Sequence, residues 1–110
     1  MIELRGYIDI NGDKRFARWL EALDASAAAK VAIALTRLEQ GNFSQAKGVG
    51  AGVSEYKIDF GPGYRIYFGR DGETLVILLG GGTKKRQNQD IRAAQQCWAD
   101  YKRRKKQESQ

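Results

Sequence analysis

The sequence contains no histidine and a single cysteine, Cys97. Without histidine, neither a Ser-His-Asp nor a Cys-His nucleophilic system can form. The same shortage argues against a zinc site, and we expect neither a metal nor another cofactor. One cysteine cannot form an internal disulfide, which is typical of a reducing compartment. We therefore expect a cytoplasmic protein, with Cys97 as a small hydrophobic residue on the buried side of a helix.

Long hydrophobic segments are also missing. The longest apolar run, Leu75–Leu79, has the length of a strand and is far shorter than the roughly 18 residues that cross a bilayer. The N-terminal segment has no basic region or cleavage site of the kind that a signal peptide carries. We therefore expect no contact with membranes. The 110 residues, 42% hydrophobic and 29% charged, correspond to a single globular domain.

Acidic and basic residues balance in most of the chain but not at its C-terminal end. Residues 1–83 carry ten basic and ten acidic residues, whereas residues 84–110 carry nine basic and three acidic ones. The last quarter of the chain therefore holds all of the net charge of +6. Such an asymmetry indicates a polyanionic partner, most often nucleic acid. A basic tail that only improves solubility is the alternative.

Hydrophobic periodicity predicts the element order β-α-α-β-β-β-α. A glycine-rich connector at residues 41–52 separates the helical part from the strands. The predicted elements are a strand within Ile2–Ile10, a helix after Lys14, a second helix capped by Asp24 or Ser26 and ending near Gln40, strands at Val53–Phe60, Tyr64–Gly69 and Thr74–Leu79, and a helix beginning between Lys85 and Asp90.

This order predicts an α+β fold. One domain covers residues 1–101, and residues 102–110 form a basic polar tail. Consecutive strands joined by short turns pair antiparallel. Thr74–Leu79, which is apolar on both sides, is typical of a central, doubly covered strand. We expect an antiparallel curled sheet, with an N-terminal helical hairpin and a C-terminal helix gathered on one face.

Side-chain parity predicts the register of the β-hairpin around Gly61-Pro62-Gly63. The apolar residues of both strands share a face only if the loop holds an odd number of residues. With the three-residue loop Gly61–Gly63, Asp59 lies opposite Arg65 and Lys57 lies opposite Tyr67. These four side chains then form a cluster on a polar, solvated face of the sheet. The cluster is either a binding site or an ordinary surface ion pair.

Cations and phenols are the chemical groups that such a site can use. Arginine presents a planar fork to phosphate oxygens, lysine a compact charge, and tyrosine a stacking surface. Cleavage of RNA at a 2′-hydroxyl needs no metal, because a base, cations around the phosphate and a proton for the leaving 5′-oxygen suffice. The candidates are Lys57 and Arg65 on the sheet, and Lys84, Lys85 and Arg86 after the last strand.

Two motifs connect the chain with a known family. VSEYKIDFGPGYRIYF at residues 53–68 and LVILLGGGTKKRQNQDI at residues 75–91 resemble the RelE/ParE superfamily of bacterial toxins. The resemblance is greatest to its HigB-like branch, the addiction module killer proteins. The paired elements are Gly63-Tyr64-Arg65 and Gly81-Gly82-Thr83-Lys84, the second followed by Gln87 and Asp90-Ile91. The resemblance covers nearly the whole chain and implies a RelE-like fold.

The resemblance also implies a function. Members cleave mRNA, commonly on the ribosome, and are neutralised by an antitoxin of the helix-turn-helix class, through which alone they bind promoter DNA. Arg65 matches the arginine that contacts the scissile phosphate, Lys57 matches a lysine of the catalytic face, and Lys84 matches a basic residue after the last strand. The RNA-binding residues that we expect on this basis are Lys85, Arg86 and Tyr67.

Two other functions stay open at this point. ParE-like members bind and inhibit DNA gyrase without nuclease activity, so the chain could be a gyrase inhibitor. It could also be an inactive relic that only binds its antitoxin. Asp59 stands where well-known RelE proteins have a second lysine. A C-terminal tyrosine that stacks on the substrate base in some members falls near Asp90 or Ile91 here, so its role is empty or passes to Tyr67 or Tyr101. The histidines of other HigB-type toxins are missing as well.

Overall fold

A five-stranded sheet with helices on both sides forms the body of the protein. A computed structural model describes residues 1–109, and its elements follow the predicted order with one short additional strand in the glycine-rich connector. Within these residues, no helix combines the length and the apolar composition that crossing a membrane requires. The elements are β1 (Glu3–Gly6), α1 (Arg15–Glu21), α2 (Ala25–Glu39), β2 (Ala46–Gly48), β3 (Val53–Ile58), β4 (Tyr64–Asp71), β5 (Leu75–Thr83), a 3₁₀ turn (Lys84–Arg86) and α3 (Gln87–Glu108).

The strand order in the sheet is β1-β5-β4-β3-β2. Strands β2 to β5 pair antiparallel, as predicted, but β1 pairs with β5 in parallel, with Glu3 opposite Leu75 and Gly6 opposite Leu78. The prediction of a fully antiparallel sheet is therefore wrong at this edge. Parallel neighbours need a long crossover, and the chain between β1 and β5, which includes α1 and α2, provides it.

Helices cover both faces of the sheet, so the prediction that they gather on one face is wrong. Alternate residues of β5 point to opposite faces, and each face buries a separate apolar cluster. The hairpin face, covered by α1 and α2, buries Phe16, Val31, Leu38, Ile66, Phe68, Val76 and Leu78. The α3 face, covered by α3, buries Tyr7, Val53, Tyr67, Ile77, Leu79, Ala94 and Trp98.

The helical hairpin carries the capping signals that its sequence predicts. The Asp24 side chain accepts a hydrogen bond from the backbone N–H of Ala27 at 2.8 Å and so caps α2. The helix ends before Gly41, whose φ of +79° is the left-handed conformation that favours glycine. Asp24 and Gly41 therefore set the two ends of α2.

The last helix, α3, extends through residues 102–108, which the sequence suggests to be a tail. Hydrogen bonds fasten its C-terminal half to the sheet side. Tyr101 Oη donates to Asp71 at 2.6 Å, and Arg104 Nη2 donates to the carbonyl of Ile8 at 2.6 Å. Hydrogen bonds from Lys105 and Tyr101 lower the pKa of the Asp71 carboxyl. Some of the basic residues at the C-terminal end of α3 therefore form hydrogen bonds within the protein.

Candidate functional site

The hairpin between β3 and β4 has a longer turn than predicted. Residues 59–63 form the turn, so that Lys57 lies opposite Arg65 and Glu55 lies opposite Tyr67. Because the turn is still odd in length, Arg65 shares a face with Lys57 and Tyr67, as parity predicts. The predicted pair of Asp59 with Arg65 is wrong. Asp59 is exposed in a turn that is closed by backbone hydrogen bonds from Phe60 to Ile58 and from Gly63 to Phe60.

Arg65 lies on the α3 face, which is closed to solvent at this point. Arg65 is 4% exposed, and Glu55, its diagonal neighbour on β3, only 1%. The prediction of a solvated polar face is therefore wrong, because α3 covers it. Lys57 is the exception, since its side chain is exposed.

Tyr67 is a core residue in this arrangement. Its ring belongs to the apolar cluster of the α3 face, and its buried hydroxyl has no hydrogen-bond partner within residues 1–109. Burial, and then the charge of the Glu55 carboxylate, raise the pKa of the phenol. A ring that is 0% exposed offers no face to an RNA base. The structure thus does not place Tyr67 where the predicted RNA contact needs it.

A buried polar group, which we call the Glu55 cluster, consists of Glu55, Arg65, Tyr67 and Gln87. Gln87 is the first residue of α3, and its Nε2 donates to Glu55 Oε2 and Oε1 at 2.9 and 3.2 Å. Arg65 Nε lies 3.8 Å from Glu55 Oε2, and Arg65 Nη1 donates to the carbonyl of Gly63 at 2.7 Å. The guanidinium is thus held between a turn carbonyl and a buried carboxylate.

The strand register pairs Lys57 with Arg65, and the hairpin turn lies close to Lys84. Lys57, Arg65 and Gly82 form a row across β3, β4 and β5, in which paired Cα atoms are about 4.5 to 5.5 Å apart. A Cβ on Gly63 would lie 3.1 Å from Arg65 Nη1 and 3.7 Å from Lys84 Cβ. Arg65 therefore lies between the positions of the two lysines, close to the hairpin turn.

Exposed cations surround this row. We define the cationic surface as Lys57, Lys84, Lys85, Arg86 and Arg92, all of which have exposed side chains. Within residues 1–109, none of these five forms an ion pair. Residues 84–89 and Arg92 line an open depression of about 550 Å³. Unpaired positive charge therefore faces solvent at the start of α3, beside Arg65.

The glycines that end β5 leave room for side chains of the helices. A Cβ on Gly81 would lie 2.4 Å from the ring of Trp19, and one on Gly82 would lie 2.0 Å from Asp90 Oδ2. Burial raises the pKa of the Asp90 carboxyl, while the charges of Arg15 and Arg86 act in the opposite direction. Close packing of α1 and α3 against β5 therefore accounts for this glycine motif.

Glu55, Gln87 and Arg92 are not among the site residues predicted from sequence. Glu55 and Lys57 lie on the same side of an alternating strand, and such a pattern does not reveal that a carboxylate is buried. Gln87 follows Glu55 by 32 positions, so that only the fold connects them. Within residues 1–109, no three Cys, Asp or Glu side chains form a group that could hold a metal ion.

Replacing Gly63 with alanine should disturb Arg65. Gly63 has a φ of +78°, and its added Cβ would lie 3.1 Å from Arg65 Nη1. Gly72 is a matched control, since its φ is +72° and nothing lies within 4 Å of its Cβ position. We expect each variant to lose about 1–2 kcal/mol of unfolding free energy to backbone strain, and Gly63→Ala to lose about 1 kcal/mol more. Urea denaturation measures the unfolding free energy of both variants. Equal losses would contradict a close contact between the new methyl group and the Arg65 guanidinium.

Comparisons with known proteins agree with these motifs. The family model described as phage-derived protein Gp49-like (DUF891) matches residues 18–99, which include every residue of the site. An uncharacterised protein of Haemophilus influenzae (strain ATCC 51907 / DSM 11121 / KW20 / Rd) is 42% identical over 88 residues, covering 79% of this chain and 89% of the relative. The chain therefore belongs to the phage-derived Gp49-like family, a family associated with toxin–antitoxin addiction modules.

Proposed function

We propose that the protein is the toxin of a type II toxin–antitoxin module and that it cleaves mRNA as a metal-independent endoribonuclease. Its family supports the toxin role. The observation that best supports the nuclease role is that Lys57 pairs with Arg65 across the β3–β4 hairpin, while Lys84 lies near Gly63 in the turn of that hairpin. Exposed cations without acidic partners are the electrostatic footprint of a nucleic-acid site.

Cleavage begins with attack of the 2′-oxygen of RNA on the adjacent phosphorus. The bond between phosphorus and the 5′-oxygen breaks, which yields a 2′,3′-cyclic phosphate and a 5′-hydroxyl. Lys57, which must be a neutral amine at this step, accepts the proton of the 2′-hydroxyl, and the ammonium of Lys84 gives a proton to the leaving 5′-oxygen. Lys85 and Arg86 bind the neighbouring phosphates, so these cations capture the RNA while the two lysines transfer its protons.

Arg65 stabilises the negative charge of the crowded phosphorane. At 4% exposure it presents only a small part of its guanidinium, yet a charge in poorly solvated surroundings acts on a nearby phosphate more strongly than a solvated one. The carbonyl of Gly63, 2.7 Å from Nη1, keeps the guanidinium in place. A donor that is fixed in advance needs no rearrangement during the reaction.

The partners of this activity are an antitoxin and the translating ribosome. A nuclease that attacks mRNA has to be neutralised in the cell that makes it, and the family supports an antitoxin partner. We expect a helix-turn-helix protein, which brings the complex to promoter DNA. Lys102 and Lys106 are exposed on the C-terminal part of α3 and suit an attraction to ribosomal RNA that weakens with salt.

Induced expression followed by mapping of RNA 5′ ends tests the proposal. Cuts in translated mRNA that keep phase with the codons support a ribosome-associated nuclease. Intact mRNA together with DNA damage and inhibited DNA supercoiling would identify a gyrase inhibitor instead. Unaffected growth would identify a chain that only binds its antitoxin.

Removing the cations at the start of α3 should weaken the salt dependence of RNA binding. The combined change of Lys84, Lys85 and Arg86 to alanine is expected to lower the slope of log Kd against log salt by about 2, at about 0.7 for each single-strand phosphate contact. Fluorescence anisotropy with a short single-stranded RNA measures the slope over a series of salt concentrations.

A triple variant with the same loss of charge serves as the control. Arg103, Arg104 and Lys105 pair with Asp100 and Asp71, so their charge is partly neutralised within the protein. Changing these three residues to alanine is expected to lower the slope by less than about 0.7, the value of one contact. Equal slopes for the two triple variants would mean that RNA responds to net charge alone.

A further inference from the structure

The proposed reaction does not use the buried carboxylate of Glu55. Glu55 is 1% exposed, and burying an ionised carboxylate costs several kcal/mol unless neighbouring groups compensate it. Val53, on the same side of β3, shows that an apolar residue packs on this face. Packing alone therefore does not account for a glutamate at this position.

Two groups contact the carboxylate from different elements of the fold. The amide of Gln87, at the start of α3, donates to both carboxylate oxygens, at 2.9 and 3.2 Å, and so sets the orientation of the group. On the other side, Arg65 Nε is 3.8 Å from Oε2, which is too long for a hydrogen bond. Arg65 Nε is buried and has no hydrogen-bond partner within residues 1–109. The link between Glu55 and Arg65 is therefore an attraction of charges.

We propose that Glu55 is a positioning residue for Arg65 and that Gln87 positions Glu55. The inference rests on the proposed function, because the group that is positioned is the arginine assigned to the scissile phosphate. The carboxylate draws the guanidinium toward the α3 side, while the Gly63 carbonyl holds Nη1 toward the turn, where Lys84 lies. These two contacts together fix the guanidinium beside the lysines, and α3 controls one of them through Gln87.

A purely structural role for Gln87 is the alternative, in which its amide only helps to dock α3. Gln95 provides the comparison, because its Nε2 donates to the carbonyl of Val49 at 3.0 Å and so also ties α3 to the rest of the fold. Both glutamines are partly buried. Gln87→Met and Gln95→Met each remove one such amide and keep the length of the side chain, but only the first removes a contact with Glu55.

Hydrogen exchange at Arg65 tests the positioning without any need for catalysis. In the protein labelled with ¹⁵N, we expect the Arg65 Nε–H to exchange with water about tenfold faster in Gln87→Met than in the wild type. Gln95→Met should leave that rate unchanged. Glu55→Gln, which removes the charge and keeps the shape, should reproduce the effect of Gln87→Met. Equal exchange rates in Gln87→Met and Gln95→Met would overturn the inference.

Cleavage kinetics then connect the positioning with the reaction. Gln87→Met is expected to lower kcat roughly tenfold or more, with KM unchanged, because the exposed lysines still capture the RNA. Gln95→Met should change neither value. A wild-type kcat in Gln87→Met, in a protein that Arg65→Lys inactivates, would overturn the inference and leave the proposed function standing. An Arg65→Lys variant that cleaves normally would refute the proposed role of Arg65, while the exchange rates would still decide whether Gln87 positions it.

Discussion

Arg65→Lys is expected to reduce RNA cleavage about a hundredfold while the fold stays intact. Lysine keeps the positive charge that balances Glu55, whose Oε2 is 3.8 Å from Arg65 Nε, so no buried carboxylate is left unpaired. A lysine, however, lacks the planar fork with which the arginine can bond the Gly63 carbonyl and a phosphate at once. Cleavage of a reporter mRNA in a translation extract measures the loss.

A second arginine-to-lysine substitution on β4 provides the control. Arg70 lies on β4 and its guanidinium stacks on the ring of Phe43, 4.1 Å from the centroid, away from the site. Arg70→Lys is expected to cleave at the wild-type rate. Arg65→Ala is a weaker test, because an uncompensated Glu55 would cost about 3–5 kcal/mol and could unfold the protein. Normal cleavage by a folded Arg65→Lys variant would rule out a catalytic role for Arg65.

Much of the fold could be predicted because local patterns determine it. The change from alternating to helical periodicity after Lys14, the cap at Asp24 and the stop at Gly41 depend on neighbouring residues alone. The parallel pairing of β1 with β5 depends on residues more than 70 positions apart, such as Glu3 and Leu75, which no local pattern connects. The apolar character of β5 on both sides did indicate two covered faces, but the short turns favoured a single helical layer.

The sequence predicted which residues share the site better than it predicted how buried they are. Parity placed Arg65 with Lys57 on one face, and this holds because a two-residue shift of register conserves parity. The shift arises because Asp59 and Phe60 belong to the turn and not to the strand. No residue in this segment predicts that the turn has five residues instead of three. Burial of Arg65 could not be foreseen either, because it depends on α3, which brings Gln87 to the Glu55 carboxylate only in the folded protein.

Trp98 is the larger of the two buried side chains through which α3 packs on the sheet. Its side chain is 5% exposed and fills a slot formed by two glycines. A Cβ on Gly69 would lie 2.5 Å from the Trp98 ring, and one on Gly52 would lie 2.7 Å from its Nε1. Tyr101 stacks on the indole with ring centroids 5.3 Å apart. Neither glycine has a side chain that could fill the space if the indole were removed.

Trp98→Ala is therefore expected to lower the free energy of unfolding by about 3–5 kcal/mol, a large share of the roughly 5–15 kcal/mol of a typical domain. The loosened α3 should also weaken the contact of Gln87 with Glu55, so that cleavage falls even below the unfolding temperature. Urea denaturation measures the first effect. Trp98→Phe, which refills part of the slot, should recover at least about half of the loss. A loss below about 1 kcal/mol in Trp98→Ala would mean that contacts at the two ends of α3, rather than its centre, hold the helix on the sheet.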